Sequence, residues 1–145
     1  MGHRCIIAID PGKRTGWAVF WEAELWSAGY TDNKELPEIP LLPAIVVIEV
    51  PRIYPFGGKG DANDLVDLAF LAGDYAGEMR VKYPGVDVEQ VYPRTWKGTV
   101  PKHIHNRRVL ASLTSKELPK IQGCDHNMVD AIGIGLWQLG KEGQR

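Results

Sequence analysis

Three acids stand where an unpaired charge is costly. Asp10 closes the apolar run Ile6-Ile7-Ala8-Ile9, Glu49 lies inside Ile45-Val46-Val47-Ile48-Glu49-Val50, and Asp130 interrupts Met128-Val129-Asp130-Ala131-Ile132. An ionised carboxylate taken out of water costs several kcal/mol unless something compensates it. One such acid can be answered by an arginine. Three in one short chain point to a shared compensator, and a divalent cation that prefers hard oxygen ligands, such as Mg²⁺, suits them. His126 and Asn127 precede Asp130 by four and three residues and can share its helix face. Either is a candidate further metal ligand or water-orienting group, against the plainer role of a structural hydrogen-bonder. Asp125, five residues back, is turned away by roughly 140° on an ideal helix and suits the N-cap.

A second group of residues carries the opposite charge. No acid occurs between Glu89 and Glu117, while that interval holds Arg94, Lys97, Lys102, Arg107, Arg108 and Lys116, with His103 and His105 among them. Such a block forms either a solvated face or a phosphate-binding one. Lys13 and Arg14 follow Asp10 closely. The segment Arg52-Ile53-Tyr54-Pro55-Phe56-Gly57-Gly58-Lys59-Gly60 follows Glu49 and sets two aromatics among glycines and cations. Tyr54 or Phe56 there can stack on an unpaired base, a contact worth ~1–3 kcal/mol, or simply cover the core.

These residues need elements to hold them. Cys5 to Ile9, Gly16 to Trp21 and Glu24 to Tyr30 read as three short strands joined by turns at Pro11-Gly12 and Glu22-Ala23, an antiparallel meander. Pro37, Pro40 and Pro43 make residues 31–43 a connector. Ala44 to Val50 is apolar on both faces, as a central parallel strand is. Asp61 can cap a helix with Leu65, Leu68, Ala69, Ala72, Ala76 and Met79 at helical spacing, stopped at Tyr83-Pro84-Gly85. Val86 to Val91 alternates as a strand. Pro101 suits the first turn of a helix through Leu113. Residues 114–124 read as a polar connection, and Asp125 caps a last helix through about Leu139. The expected architecture is α/β, a mixed five-stranded sheet flanked by helices. Gly73 and Gly77 share one face of the first helix and permit close approach, to the sheet or to a second subunit.

Length and composition bound the rest. The chain of 145 residues, with 17 Lys+Arg, 18 Asp+Glu and 44% apolar residues, fits one folded domain spanning 1–145. No apolar run approaches the ~20 residues of a membrane span, and no signal peptide is legible, so no membrane partner and a cytoplasmic location are expected. Cys5 and Cys124 have neither zinc nor disulfide spacing and are expected to be reduced packing residues.

The motifs also carry a resemblance. Ile7-Ala8-Ile9-Asp10-Pro11-Gly12-Lys13-Arg14-Thr15-Gly16-Trp17-Ala18 resembles the first motif of the RuvC-type Holliday-junction resolvases, members of the RNase H-like superfamily. Val47-Ile48-Glu49 resembles their second acidic motif, and Asp125-His126-Asn127-Met128-Val129-Asp130-Ala131-Ile132-Gly133 their last. With Lys59-Gly60-Asp61-Ala62-Asn63-Asp64-Leu65 and Pro93-Arg94-Thr95-Trp96-Lys97-Gly98, the chain is similar to compact RuvC-like proteins of bacteriophages over nearly its whole length.

The resemblance implies a homodimeric endonuclease that cuts a four-way DNA junction in a symmetric pair of nicks and leaves 5′-phosphate ends. It implies two Mg²⁺ per site, replaceable by Mn²⁺, held by Asp10, Glu49 and Asp130, with His126, Asn127 or Asp125 as the open choice for a fourth position. A second metal would stabilise the leaving 3′-oxygen. Lys102 becomes the candidate for transition-state charge. Lys13, Arg14, Tyr54, Phe56, Lys59, Arg94, Lys97, Arg107 and Arg108 become candidates for contacting DNA. An aromatic of the loop after Glu49 is expected at the junction centre. Other branches stay open: an RNase H-like nuclease acting on branched DNA, an RNA–DNA hybrid or a ribosomal RNA precursor, or a junction-binding module without catalysis. Actin-like ATPases and sugar kinases share the Asp-x-Gly turn but need a second phosphate motif and a much longer chain.

Overall fold

A computed structural model describes residues 4–40, 42–54 and 61–145. Three strands, β1 (Cys5–Asp10), β2 (Thr15–Trp21) and β3 (Glu24–Thr31), form the expected meander. Its β2–β3 turn is Glu22-Ala23, with φ of 51° and 68°, the left-handed pair that a two-residue hairpin needs. β4 (Ile45–Glu49) and β5 (Asp87–Val91) complete a sheet of order β3-β2-β1-β4-β5. β4 runs parallel to both of its neighbours, β1 and β5, as its uninterrupted apolar sequence predicts. The register Ile9 to Ile48 sets Asp10 and Glu49 side by side at the carboxyl end of the sheet.

The period of two along each strand divides the core into two layers. Ile6, Ala8, Ala18, Phe20, Ile45 and Val47 face one way, and Cys5, Ile7, Ile9, Val19, Val46 and Ile48 face the other. The second face is covered by α1 (Ala62–Lys82) through Ala72, Tyr75 and Met79, and Asp61 caps this helix by accepting from Asn63 N at 2.9 Å. The first face is covered by α3 (Lys102–Ala111) and α4 (His126–Lys141). Asp125 caps α4 as expected, its Oδ1 accepting from Met128 N at 3.1 Å. Both cysteines are free thiols, and burial pushes Cys5 up to about 11. Among the described residues, no helix is long and apolar enough to cross a membrane.

Three local expectations need correction. Pro101 precedes α3 as its N-cap rather than sitting in the first turn. The stretch after β5, for which no element was expected, opens with a short helix α2 (Pro93–Lys97), since proline's fixed φ and missing N–H suit a first helical position. The connection 114–124 contains a 3₁₀ turn, Leu118–Ile121.

That connection is clamped by a buried ion pair. Glu117 is fully buried; its Oε1 accepts from Thr114 N at 2.9 Å and its Oε2 from Leu25 N at 2.6 Å. The Arg145 guanidinium meets both oxygens, at 2.5 and 2.7 Å. Burial pushes the Glu117 carboxyl up, but Arg145 and the two backbone donors outweigh it and bring it to about 2 from an ordinary 4.5. Because the folded value is the lower one, this contribution is present above pH 4.5 and fades as pH falls towards 2.

α4 comes unusually close to the sheet. A Cβ on Gly16 would lie 2.0 Å from the Asn127 carbonyl oxygen, and one on Gly135 would lie 2.1 Å from the Phe20 ring. These glycines let the helix that carries Asp130 rest directly on β2.

Two expected outcomes follow from this packing. Arg145→Ala should destabilise the fold by about 3 kcal/mol at neutral pH by stranding a buried carboxylate. Urea unfolding should show the difference from the unaltered chain narrowing between pH 4.5 and 2. Gly16→Ala should cost about 1–3 kcal/mol as the start of α4 is pushed off β2, read as a lowered urea midpoint with an unchanged slope.

Candidate active site

Asp10 and Glu49 reach the site because β1 and β4 end together, and Asp130 reaches it because α4 crosses above them. Asp130 is 7% exposed, and Asp10 and Glu49 are half-buried. All three carboxyls are held above their ordinary values. For Asp10 the causes are burial, then the charges of Glu49 and Asp130, with Lys97 opposing and a hydrogen bond with Glu49 adding in the same upward direction. For Glu49 burial again leads, opposed by the Trp96 N–H and by Lys97. For Asp130 burial leads, and Lys97, Lys102, His105 and His126 pull the other way. Lys97 therefore acts on every member of the cluster, while Lys102 approaches Asp130 alone, at 3.9 Å.

As the side chains stand, no three His, Cys, Asp or Glu residues among the described residues are in ready-made ligand geometry. The donor chemistry still fits a hard divalent cation. The three acids supply oxygens only, two are close enough to share a proton, and their mutual repulsion is what a cation relieves. Asp10, Glu49 and Asp130 would hold it. His126, exposed and close enough to act on Asp130, is better placed than Asn127 for a further position. The Asn127 amide donates to Asp125 Oδ2 at 3.4 Å, away from the cluster. Asp125 is itself committed, capping α4 and accepting Arg14 at 3.2 Å.

The cationic candidates divide. Arg14 does not project freely towards a phosphate. Its guanidinium bonds Asp32 at 3.0 Å and Asp125 at 3.2 Å, and lies 4.2 Å from the Tyr30 ring centroid, so it ties the β1–β2 turn to the start of α4. Lys13 is exposed in the same turn and lines a cleft with Lys34, Asp32, Asp64 and Asp67. Lys102, Arg107 and Arg108 are exposed along α3, and of these Lys102 is the one that approaches an acid. Tyr54 is not a free aromatic: the Arg94 guanidinium stacks 3.9 Å from its ring centroid, and Arg52 stacks likewise on Tyr92 at 4.7 Å. This crossed pair joins the segments that follow β4 and β5, so stacking of Tyr54 on a base must use its other ring face or displace Arg94. Phe56 and Lys59 lie outside the described residues.

Sequence reasoning missed three supporting residues. Thr15, buried in the first motif, accepts from Gly12 N at 3.3 Å, donates to Gly12 O at 3.1 Å and accepts from the Tyr75 hydroxyl at 2.9 Å. The turn after Asp10 is thus fastened to α1. Trp96 donates its indole N–H to Glu49 Oε2 at 2.5 Å. A tryptophan within a run of cations was the available signal; a buried partner 47 positions away was not.

No protein-family profile matches the chain, and no curated protein matches it by sequence. Solved structures do match. T. thermophilus RuvC in complex with a Holliday junction substrate is 20% identical, with 97% of each chain covered and a TM-score of 0.65. The fowlpox virus Holliday junction resolvase is 11% identical over 95% of this chain and 99% of that one, with a TM-score of 0.54. The chain has the RNase H-like fold, in the form that RuvC displays.

The electrostatics predict a measurable strain. Because the native state holds the Asp10 proton more tightly than the unfolded chain, this group favours folding at low pH, and that advantage is lost as pH rises above its ordinary 3.8. In cation-free buffer Asp10→Asn should match the unaltered protein near pH 3.5. By pH 7 it should unfold about 2–4 °C higher, the equivalent of ~1 kcal/mol in a domain of this size. Differential scanning calorimetry with added Mg²⁺ should narrow that gap.

Proposed function

We propose that this chain is a Mg²⁺-dependent endonuclease that resolves four-way DNA junctions by paired, symmetric nicks, acting as a single nuclease domain over residues 1–145. The observation that carries this reading is the cluster of Asp10, Glu49 and Asp130, each held above its ordinary value chiefly by burial, at the carboxyl edge of a RuvC-like sheet. The two structural neighbours are, by name, a junction-bound RuvC and a Holliday junction resolvase, which makes the branched duplex the substrate of choice.

Mg²⁺, or Mn²⁺ in its place, supplies when bound the Lewis acidity that turns water into a nucleophile and stabilises the leaving 3′-oxygen, leaving a 5′-phosphate. The residues of the chain do the rest. Asp10, Glu49 and Asp130 hold the metal positions, and His126 takes the further position. Lys102, in the first turn of α3, offers its ammonium to charge developing on the phosphate. Lys97, deeper among the acids, keeps the empty cluster from repelling itself apart. Arg107 and Arg108, exposed further along α3, bind the arms of the junction.

Two nicks placed symmetrically need two sites, hence a homodimer. The outward face of α1 supports one: Val66, Phe70 and Val81 are 64%, 74% and 82% exposed, and the space beside Gly73 and Gly77 is open. That is the apolar, close-approach surface a second copy covers. The intended place of action is the cytoplasm, with a bacteriophage origin.

Cleavage of a labelled four-way junction, set beside linear duplex, flap and RNA–DNA hybrid with and without Mg²⁺, tests the proposal. Paired nicks confined to the junction are expected, with Asp10→Asn slowing them ~10³-fold or more while junction binding persists. Preferential cleavage of flap or hybrid would move the chain to another branch of the fold. A monomer by sedimentation at assay concentration would count against paired cutting.

A further inference from the structure

Glu49 is held by a residue that does no chemistry of its own. The Trp96 indole N–H donates to Glu49 Oε2 at 2.5 Å, and the ring that points it there is 7% exposed. That ring is fixed from two helices. A Cβ on Gly133 of α4 would lie 2.6 Å from Trp96 Cζ3, so the helix backbone rests on the indole. His105 of α3 packs edge-on, with ring centroids 4.9 Å apart and planes at 71°. His105 Nε2 is buried with no hydrogen-bond partner among the described residues, so that histidine serves as a wall for the indole rather than as a polar link to it. Trp96 itself stands in α2, one residue before Lys97, whose ammonium lies 5.4 Å from the indole ring centroid.

An indole is a donor only. It can take one carboxylate lone pair and can offer nothing in return, so the bond acts as a one-way pin on Glu49. With one Oε2 lone pair taken and the ring held from two helices, Glu49 keeps its other lone pairs, and the acids that act on it are Asp10 and Asp130. We propose that Trp96 is a positioning residue, which fixes Glu49 so that its free oxygen lone pairs face a divalent cation shared with Asp10 and Asp130. This deepens the reading of the three acids as a metal site and rests on it. It also makes α2 the link through which the packing of α3 and α4 reaches a carboxylate on β4. Partners that orient a ligand from behind in this way typically account for 10–100-fold in metal affinity.

The test uses the full chain and Mn²⁺ as the probe, with binding read by electron paramagnetic resonance in the absence of DNA. Two substitutions remove the donor: Trp96→Phe, and the benzothiophene analogue of tryptophan at position 96, which keeps the ring shape and loses the N–H. Both should bind Mn²⁺ about 10–100-fold more weakly, with metal-free junction affinity changed by less than about twofold. In the unaltered protein the Trp96 indole ¹⁵N–¹H resonance, identified by its loss in Trp96→Phe, should shift in Glu49→Gln and on addition of Mg²⁺. On the junction, kcat should fall while KM holds.

Unchanged Mn²⁺ affinity in the analogue-bearing protein would overturn the proposal and leave Trp96 a packing residue; if Trp96→Phe fails to fold, that analogue alone decides. Mn²⁺ binding by the unaltered protein without cleavage of any branched DNA would overturn the nuclease reading, and the cation affinities would still judge Trp96. No Mn²⁺ binding at all would overturn both.

Discussion

The burial of Asp10, Glu49 and Asp130 in one cluster is the constraint around which the rest of this molecule is arranged. Three carboxyls cannot be brought together out of water and all remain ionised without compensation, and each is held above its ordinary value. The fold brings them together nonetheless, because the carboxyl ends of two adjacent parallel strands and a helix lying across them leave no other place for those side chains. The partial remedies are local. Asp10 stands within hydrogen-bonding reach of Glu49, the Lys97 charge acts on all three acids, and Lys102 stands 3.9 Å from Asp130. A cation bound at such a cluster would relieve the strain and couple folding stability to ligand binding.

Holding such a cluster needs more than the elements that carry it. The turn after Asp10 is fastened by Thr15 to Tyr75 of α1, on the opposite face of the sheet from α4. The start of α4 is fastened by Arg14, through Asp125, to that same turn. Glu49 is fastened by Trp96 beneath α3 and α4. Each acid thus has a brace from a different layer. The close contacts at Gly16 and Gly135 allow no slack between α4 and β2, so a shift of the helix is felt at Asp130.

Much of this architecture was legible in the chain. Apolar runs, β-rich composition and, for the last strand, alternation located all five strands, and the continuous run before Glu49 identified the strand that lies between two parallel partners. Asp61 and Asp125 were readable as caps because a carboxylate before a periodic segment satisfies free N–H groups wherever it occurs. The five residues of α2 were not readable, since a helix that short has no period to detect and Pro93 reads equally as an end or a beginning. The partners of Arg14 and Tyr54 were hidden for one shared reason. A cation or an aromatic on a loop looks available until its neighbours are known, and here those neighbours are Asp32 and Asp125 for one and Arg94 for the other.

The sequence by itself determined which residues are the candidates for chemistry and which elements carry them. Charge type, apolar period and capping are properties of a few consecutive positions, and Asp10, Glu49 and Asp130 announce themselves by interrupting apolar runs. Only the tertiary structure decided how each charge is answered. That Trp96 meets Glu49, Arg14 meets Asp125 and Tyr75 meets Thr15 depends on helices and strands distant in the chain packing at one crossing. Such a contact exists only once the layers are assembled, because its partners are set by interlocking side-chain volumes and not by any local preference of the backbone.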